Sequence, residues 1–352
     1  MERNHKPWDL APGVSRIFIL GTLLIFLACP YSALAEGVMT DLEPLGGTYS
    51  AAYAINNRGQ IAGTSTNEFG QLRAFLYSDG AMTDLGTLPG GTLSWAWGIN
   101  NRGQVVGGAT DRDGYTRAFL YDKGVMKDLS TLGGTDSEAY GINNKGQIVG
   151  WAQTADGEYH AFLYDKGVMT DLHTFESGTT SFAIGINDRG QITGEWYTVS
   201  GSSSAFLYSK GGMTRLPTLT GYSNAYGWGI NSIGEIVGNA YKVVGQEWES
   251  RAFLYSNGSM TDLGTPFGGS YSEAFGINNI GQIVGGAETA SGEFLGFLYS
   301  KGIVTYLETL GGTYSVVNAI SDAGQMVGVS TTSEEEYHAF LYTRPRIPPR
   351  RP

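Results

Sequence analysis

Along this chain apolar and polar residues alternate in short runs and never settle into a 3.6-residue period. Between Glu138 and Leu172 the runs are Glu138–Asn143 (EAYGIN), Gln147–Ala152 (QIVGWA), His160–Asp165 (HAFLYD) and Val168–Leu172 (VMTDL). Alternation of period two predicts strands, because successive side chains on a strand point to opposite faces. Asn144-Lys145-Gly146 and Lys166-Gly167 have the chemistry of tight hairpins, and QTADGEY (Gln153–Tyr159) is expected to be a loop. In AFLY both faces carry apolar groups, which suits a sheet packed on each side.

The unit recurs. AFLY begins at Ala74, Ala118, Ala161, Ala205, Ala252, Gly296 (as GFLY) and Ala339, with steps of 44, 43, 44, 47, 44 and 43 residues. The isoleucine of GIN keeps the same phase at 55, 99, 142, 186, 230, 277 and 320, and MTDL-like blocks follow from Met39 to Val304. Four strands repeated seven times at this period predict an all-β fold, a seven-bladed β-propeller of four-stranded antiparallel blades. A β-solenoid or an open array is the alternative. The repeat region starts with a lone fourth strand (Gly37–Leu42) and ends with a third strand (Ala339–Thr343) that has no successor. Together they would complete the last blade, close the ring and remove an exposed edge.

The N-terminus departs from this pattern. Arg3, Lys6 and Arg16 precede the apolar run Ile17–Ala28, and Ala33-Leu34-Ala35 offers a small-x-small cleavage site. Residues 1–35 therefore read as a signal peptide, 36–343 as the propeller and 344–352 as a disordered, basic, proline-rich tail. The run is too short for a spanning helix, so no integral membrane span is expected after cleavage. Cys29 does not sit in a convincing lipobox. Cleavage takes the formal charge from −11 to −12 and leaves no cysteine, so a secreted or periplasmic protein would be held together by packing alone. The acidic balance argues against nucleic acid, and the only basic run is the tail. Nothing points beyond a monomer.

The phased blocks resemble the HAF-repeat family of predicted bacterial extracellular proteins. Its triplet stands here as His160-Ala161-Phe162 and His338-Ala339-Phe340, with Arg73, Arg117, Ser204, Arg251 and Leu295 at the His position elsewhere. The resemblance covers the mature chain up to the tail. It implies export and a repeat-built β fold, and it implies no activity.

Several stretches look chemical. The recurring Asn-Asn-x-Gly-Gln is read as scaffold, with Asn and Gly supplying positive φ and Gln pairing with backbone, since catalysis needs one asymmetric constellation. Asp111-Arg112-Asp113-Gly114 is either a hairpin turn or a weak calcium loop, and no other cofactor is expected. No H-E-x-x-H, G-x-S-x-G or P-loop occurs, and His160 and His338 occupy a tolerant strand-start position.

In a four-stranded meander the crossovers share a face with the second-to-third loops, and tight turns occupy the other. The variable crossovers are where binding would lie. The position four before the GIN isoleucine reads Ala51, Trp95, Glu138, Phe182, Tyr226, Glu273 and Val316. Two residues earlier it reads Tyr49, Leu93, Asp136, Thr180, Asn224, Tyr271 and Tyr314. Tyr49, Trp95, Asp136, Glu138, Tyr226, Tyr271, Glu273 and Tyr314 are accordingly the candidate ligand-binding residues, with Trp196, Tyr197 and Trp248 nearby. Flat aromatics beside hydrogen-bonding groups suit carbohydrate. The competing reading is that Trp95 and Tyr226 simply cap blade packing. Three functions fit: a binding module for an extracellular glycan or protein, a structural or surface-display protein, or a polysaccharide-cleaving enzyme using carboxylates such as Asp136, Glu138, Glu176 or Glu273.

Overall fold

The stretch between Glu138 and Leu172, with the crossover before it, folds as four strands: Gly133–Ile142, Ile148–Thr154, Tyr159–Asp165 and Val168–Asp171, paired antiparallel in chain order. This computed structural model describes residues 37–173, 180–245 and 247–344, in which every regular element is a β-strand. Every described strand lies within Tyr31–Pro352. The expected signal peptide, Glu176 and the tail beyond Arg344 lie outside the described residues. Among those residues no helix is long and apolar enough to cross a membrane.

The same quartet recurs over 46–84, 94–128, 180–215, 224–264 and 268–306. A last trio, Gly311–Ile320, Met326–Thr332 and Tyr337–Thr343, takes its fourth strand from the other end of the chain. Val38–Asp41 pairs antiparallel with it, Val38 opposite Thr343 and Asp41 opposite Phe340. First strands touch first strands in successive quartets, and Gly46–Ile55 also touches Gly311–Ile320.

Packing between quartets explains the repeated letters. The AFLY phenylalanines, Phe75 through Phe340, are fully buried. Val106 and Ala118 of one quartet cluster with Ala139, Ile148 and Phe162 of the next. Leu42, Val327 and Ala339 cluster in the same way with Ala52, Ile61 and Phe75. A crossover serine stitches each of these seams: Ala118 donates its N–H to Ser137 Oγ at 3.0 Å, and Ala339 donates to Ser50 Oγ at 2.8 Å.

The Asn-Asn-x-Gly-Gln element is scaffold, though it works differently from expectation. Only its glycine has positive φ (Gly146, 85°). Asn143 Oδ1 accepts the N–H groups of Lys145 and Gln147, both at 3.0 Å, as an Asx turn does. Asn143 Nδ2 donates to Gln147 Oε1 at 2.8 Å and to the Asn187 carbonyl of the next quartet at 3.0 Å. The glutamine side chain thus pairs with another side chain rather than with backbone. The second asparagine forms another seam: Asn57 N–H donates to Asn101 Oδ1 at 2.8 Å, and Asp322 N–H donates to Asn57 Oδ1 at 2.9 Å. QTADGEY also proves tighter than a loop, since Gly157 N–H closes on the Thr154 carbonyl at 3.0 Å.

Candidate functional site

Residues four and two before the GIN isoleucine share a face of the first strand, and the second strand adds every other residue beside them. Glu138 lies opposite Trp151, Phe182 opposite Glu195, and Tyr226 opposite Asn239. This face carries aromatics and three glutamates.

The first group centres on Glu138, which is buried. One carboxylate oxygen accepts the indole N–H of Trp95 and that of Trp97, the latter at 2.6 Å. The other oxygen accepts the Tyr140 hydroxyl at 3.3 Å, and Trp151 Nε1 donates to that hydroxyl at 3.0 Å. Tyr53 packs edge-on against Trp97 with ring centroids 4.4 Å apart. Trp95 is 9% exposed and is fixed in the packing.

A second group is a chain of hydroxyls ending on a buried acid. Tyr197 OH lies 3.2 Å from Glu195 Oε2 and 3.2 Å from Tyr226 OH, and Tyr226 donates to Tyr241 OH at 2.8 Å. Burial pushes the Glu195 carboxyl up to about 8, against the opposing pull of the Tyr197 hydrogen bond. Glu195 is therefore largely neutral at pH 7. Desolvation, reinforced by the Glu195 charge, raises the Tyr197 and Tyr226 phenols further from ionisation. Trp228 leans on Tyr226 with centroids 5.6 Å apart and donates to Asn239 Oδ1 at 2.8 Å.

The third group reaches the crossover end. Tyr271 donates to Glu273 Oε1 at 2.8 Å, and Glu273, hemmed in by protein atoms, is pushed up to about 7 by desolvation. From Tyr271 a ladder of rings runs across the seams: Tyr271 to Phe294 at 6.0 Å, Phe294 stacked on Tyr314 at 5.7 Å, and Tyr314 to Tyr337 at 5.7 Å. Tyr337 then pairs in parallel register with Tyr49, whose hydroxyl is 3.4 Å from that of Tyr53. Tyr337 is 39% exposed, and Tyr49, Tyr271, Phe294 and Tyr314 are half-buried.

Of the eight candidates, Tyr49, Tyr271, Glu273 and Tyr314 share this ladder, while Trp95 with Glu138 and Tyr226 belong to the buried groups. Asp136 joins none of them. Its carboxylate accepts the Thr116 N–H at 3.0 Å and the Thr135 hydroxyl at 2.6 Å, substituting for a strand bond at the seam. Tyr197 lies within the hydroxyl chain. Trp196 packs on the opposite side under Arg215, and Trp248 is exposed beside Tyr241. Sequence reasoning missed Tyr53, Trp97, Tyr140, Trp228 and Phe275, which stand two before the isoleucine, one step further along the alternation already in use. It also missed Glu195, whose signal was the cross-strand partner of Phe182.

The other chemical-looking stretches have local hydrogen-bond partners. Asp111 Oδ1 accepts the N–H of Asp113 at 2.9 Å and of Tyr115 at 3.0 Å, and Arg117 Nε reaches Oδ2 at 2.9 Å. Desolvation acts upward on Asp111, but these bonds together outweigh it and lower its carboxyl below the ordinary value. Among the described residues no group of three or more His, Cys, Asp and Glu could hold a metal ion. The strand-start position has a partner: His160 pairs with Asp171 at 2.7 Å, His338 with Asp41 at 2.8 Å, and Arg73 with Asp84 at 3.6 Å.

Residues 90–173 match a family described as a protein of unknown function (DUF3466), less than half of the chain. No curated protein matches. Among solved structures, the β-propeller domain of the Trilobed protease from Pyrococcus furiosus is similar at 8% identity and TM-score 0.52, over 84% of this chain and 93% of that one. The acylaminoacyl peptidase of Pyrococcus horikoshii is similar at 11% identity and TM-score 0.51, over 86% of this chain and 52% of that one. TolB from Acinetobacter baumannii gives 12% identity and TM-score 0.47 over 82% of this chain, which spans 64% of TolB's length. At these identities the likeness concerns the fold alone, and that fold is a β-propeller.

Proposed function

We propose that this chain is an exported binding module: seven four-stranded blades, closed by Val38–Asp41, that hold an extracellular carbohydrate at the crossover end. The single observation behind the ligand class is the ring ladder Tyr271–Phe294–Tyr314–Tyr337–Tyr49. Half-exposed ring faces stack on sugar C–H surfaces, and the phenols and Glu273 offer partners for hydroxyls. Support for seven closed blades comes from the Asp41–Phe340 register, the Ala339–Ser50 bond and the Asp322–Asn57 bond, each of which joins the last quartet to the first strand segments. Membership of the HAF-repeat family and passage through a signal peptide belong to the same reading.

The test is a glycan array probed with residues 36–352. Tyr314→Ala should abolish the signal, because it removes the central rung, while Trp95→Phe should spare it. Retained binding in Tyr314→Ala places the ligand elsewhere. Turnover of a bound polymer that stops with Glu273→Gln would replace the binding module by an enzyme.

A further inference from the structure

The sequence shows no basic run before the tail, yet the fold gathers one. The third residue of the Asn-Asn-x-Gly-Gln turn is Arg58, Arg102, Lys145 and Arg189 in four successive quartets, and all four residues are exposed. Their turns are contiguous. Asn57 N–H meets Asn101, Asn101 N–H meets Asn144, and Asn144 N–H meets Asp188, each at 2.8 Å. None of the four cations makes an ion pair among the described residues.

Acids on this face accept hydrogen bonds from neutral donors and do not pair with these four cations among the described residues. Asp188 accepts both the backbone and side-chain N–H groups of Asn144. Asp322 accepts from Asn279 and Asn57, and Asp122 accepts from Gln104 at 3.0 Å. The next two turns carry isoleucine at the same position, Ile233 at 59% exposure and Ile280 at 70%.

Both ends of the described chain leave from this face, since Val38 and Thr343 are register partners at the close of the last quartet. Beyond Arg344 the sequence adds Arg346, Arg350 and Arg351.

We propose that the tight-turn face docks on an anionic lipid bilayer. Four unpaired cations match a layer of phosphate headgroups, to which juxtamembrane bases are drawn. Isoleucines at protruding turn tips gain nothing from a soluble polyanion, whereas headgroup packing accepts them. Lipid contact here leaves the crossover end pointing away from the bilayer, so docking and carbohydrate binding are separable.

The test is co-sedimentation of residues 36–352, which retain every described strand, with phosphatidylglycerol and with phosphatidylcholine vesicles. Binding should be confined to phosphatidylglycerol and fall with salt. At about 1 kcal/mol per base, Arg102→Gln with Lys145→Gln should weaken it roughly 30-fold. Ile233→Ser with Ile280→Ser should weaken it about tenfold at constant charge. Unchanged melting curves for both pairs exclude misfolding as the cause. No binding to phosphatidylglycerol overturns the docking, as does binding that ignores the isoleucines. Equal affinity for soluble heparin, with the same dependence on Arg102 and Lys145, would make this face a polyanion site instead.

Discussion

A methyl group placed on Gly150 would meet the carbonyl oxygen of Glu138 well inside contact distance, and that oxygen belongs to backbone that cannot swing aside. The equivalent glycine of every quartet, from Gly63 to Gly328, faces a first-strand carbonyl in the same way. We expect Gly150→Ala to cost about 3 kcal/mol in thermal or urea unfolding, as overpacking at a rigid contact does. Gly212→Ala, with open space around it, should leave the melting curve unchanged. Two desolvated acids predict a pH signature. Glu195 and Glu273 ionise near 8 and 7 when folded but near 4.3 when unfolded, so the folded state holds protons that the unfolded state has released. Stability is then greatest below pH 4–5 as far as these two groups decide it, falls as pH rises through 7 and 8, and levels off above. Glu195→Gln with Glu273→Gln should flatten the decline between pH 5 and 9 in a series of melting curves. A decline of unchanged slope in the double variant would show that other groups carry it.

At the scale of the strand, alternation and turn chemistry were legible because each quartet states them again. The Lys-Gly hairpins appear with both residues at positive φ, Lys166 at 50° and Gly167 at 89°. Legibility failed where the determinant lies in another quartet. The seam asparagines look like local turn formers until Asn143 is seen reaching the Asn187 carbonyl. Asp136 looked like a ligand group because its partner, the Thr116 N–H, is twenty residues away on a neighbouring strand. The three glutamates of this face were legible only in part. Glu138 and Glu273 stand in the crossover alignment, while Glu195 sits on a second strand and enters the same face through cross-strand pairing with Phe182.

For the whole molecule, the segment Val38–Asp41 joins the chain's beginning to its end, and Leu42 packs where Val327 and Ala339 meet Ala52 and Phe75. A chain starting at Glu43 would leave Tyr337–Thr343 as an open edge, an invitation to pair with other molecules. We expect such a truncation to elute as oligomers or aggregates in size-exclusion chromatography, and a peptide of residues 36–42 added during refolding to restore part of the monomer. A sharp monomer peak without the peptide would sink the proposed closure. The face distribution carries a further consequence. Seam positions are nearly uniform from quartet to quartet, whereas the residues six, four and two before each GIN isoleucine differ in almost every one. The scaffold thus recurs at fixed positions of each strand, and the position six before the isoleucine also serves the seam where it holds Asp136. On the proposed reading, the positions four and two before the isoleucine act as interchangeable slots, and exchanging Glu273 and Phe275 for another quartet's pair leaves the glycine contact, the serine stitch and the asparagine seam in place.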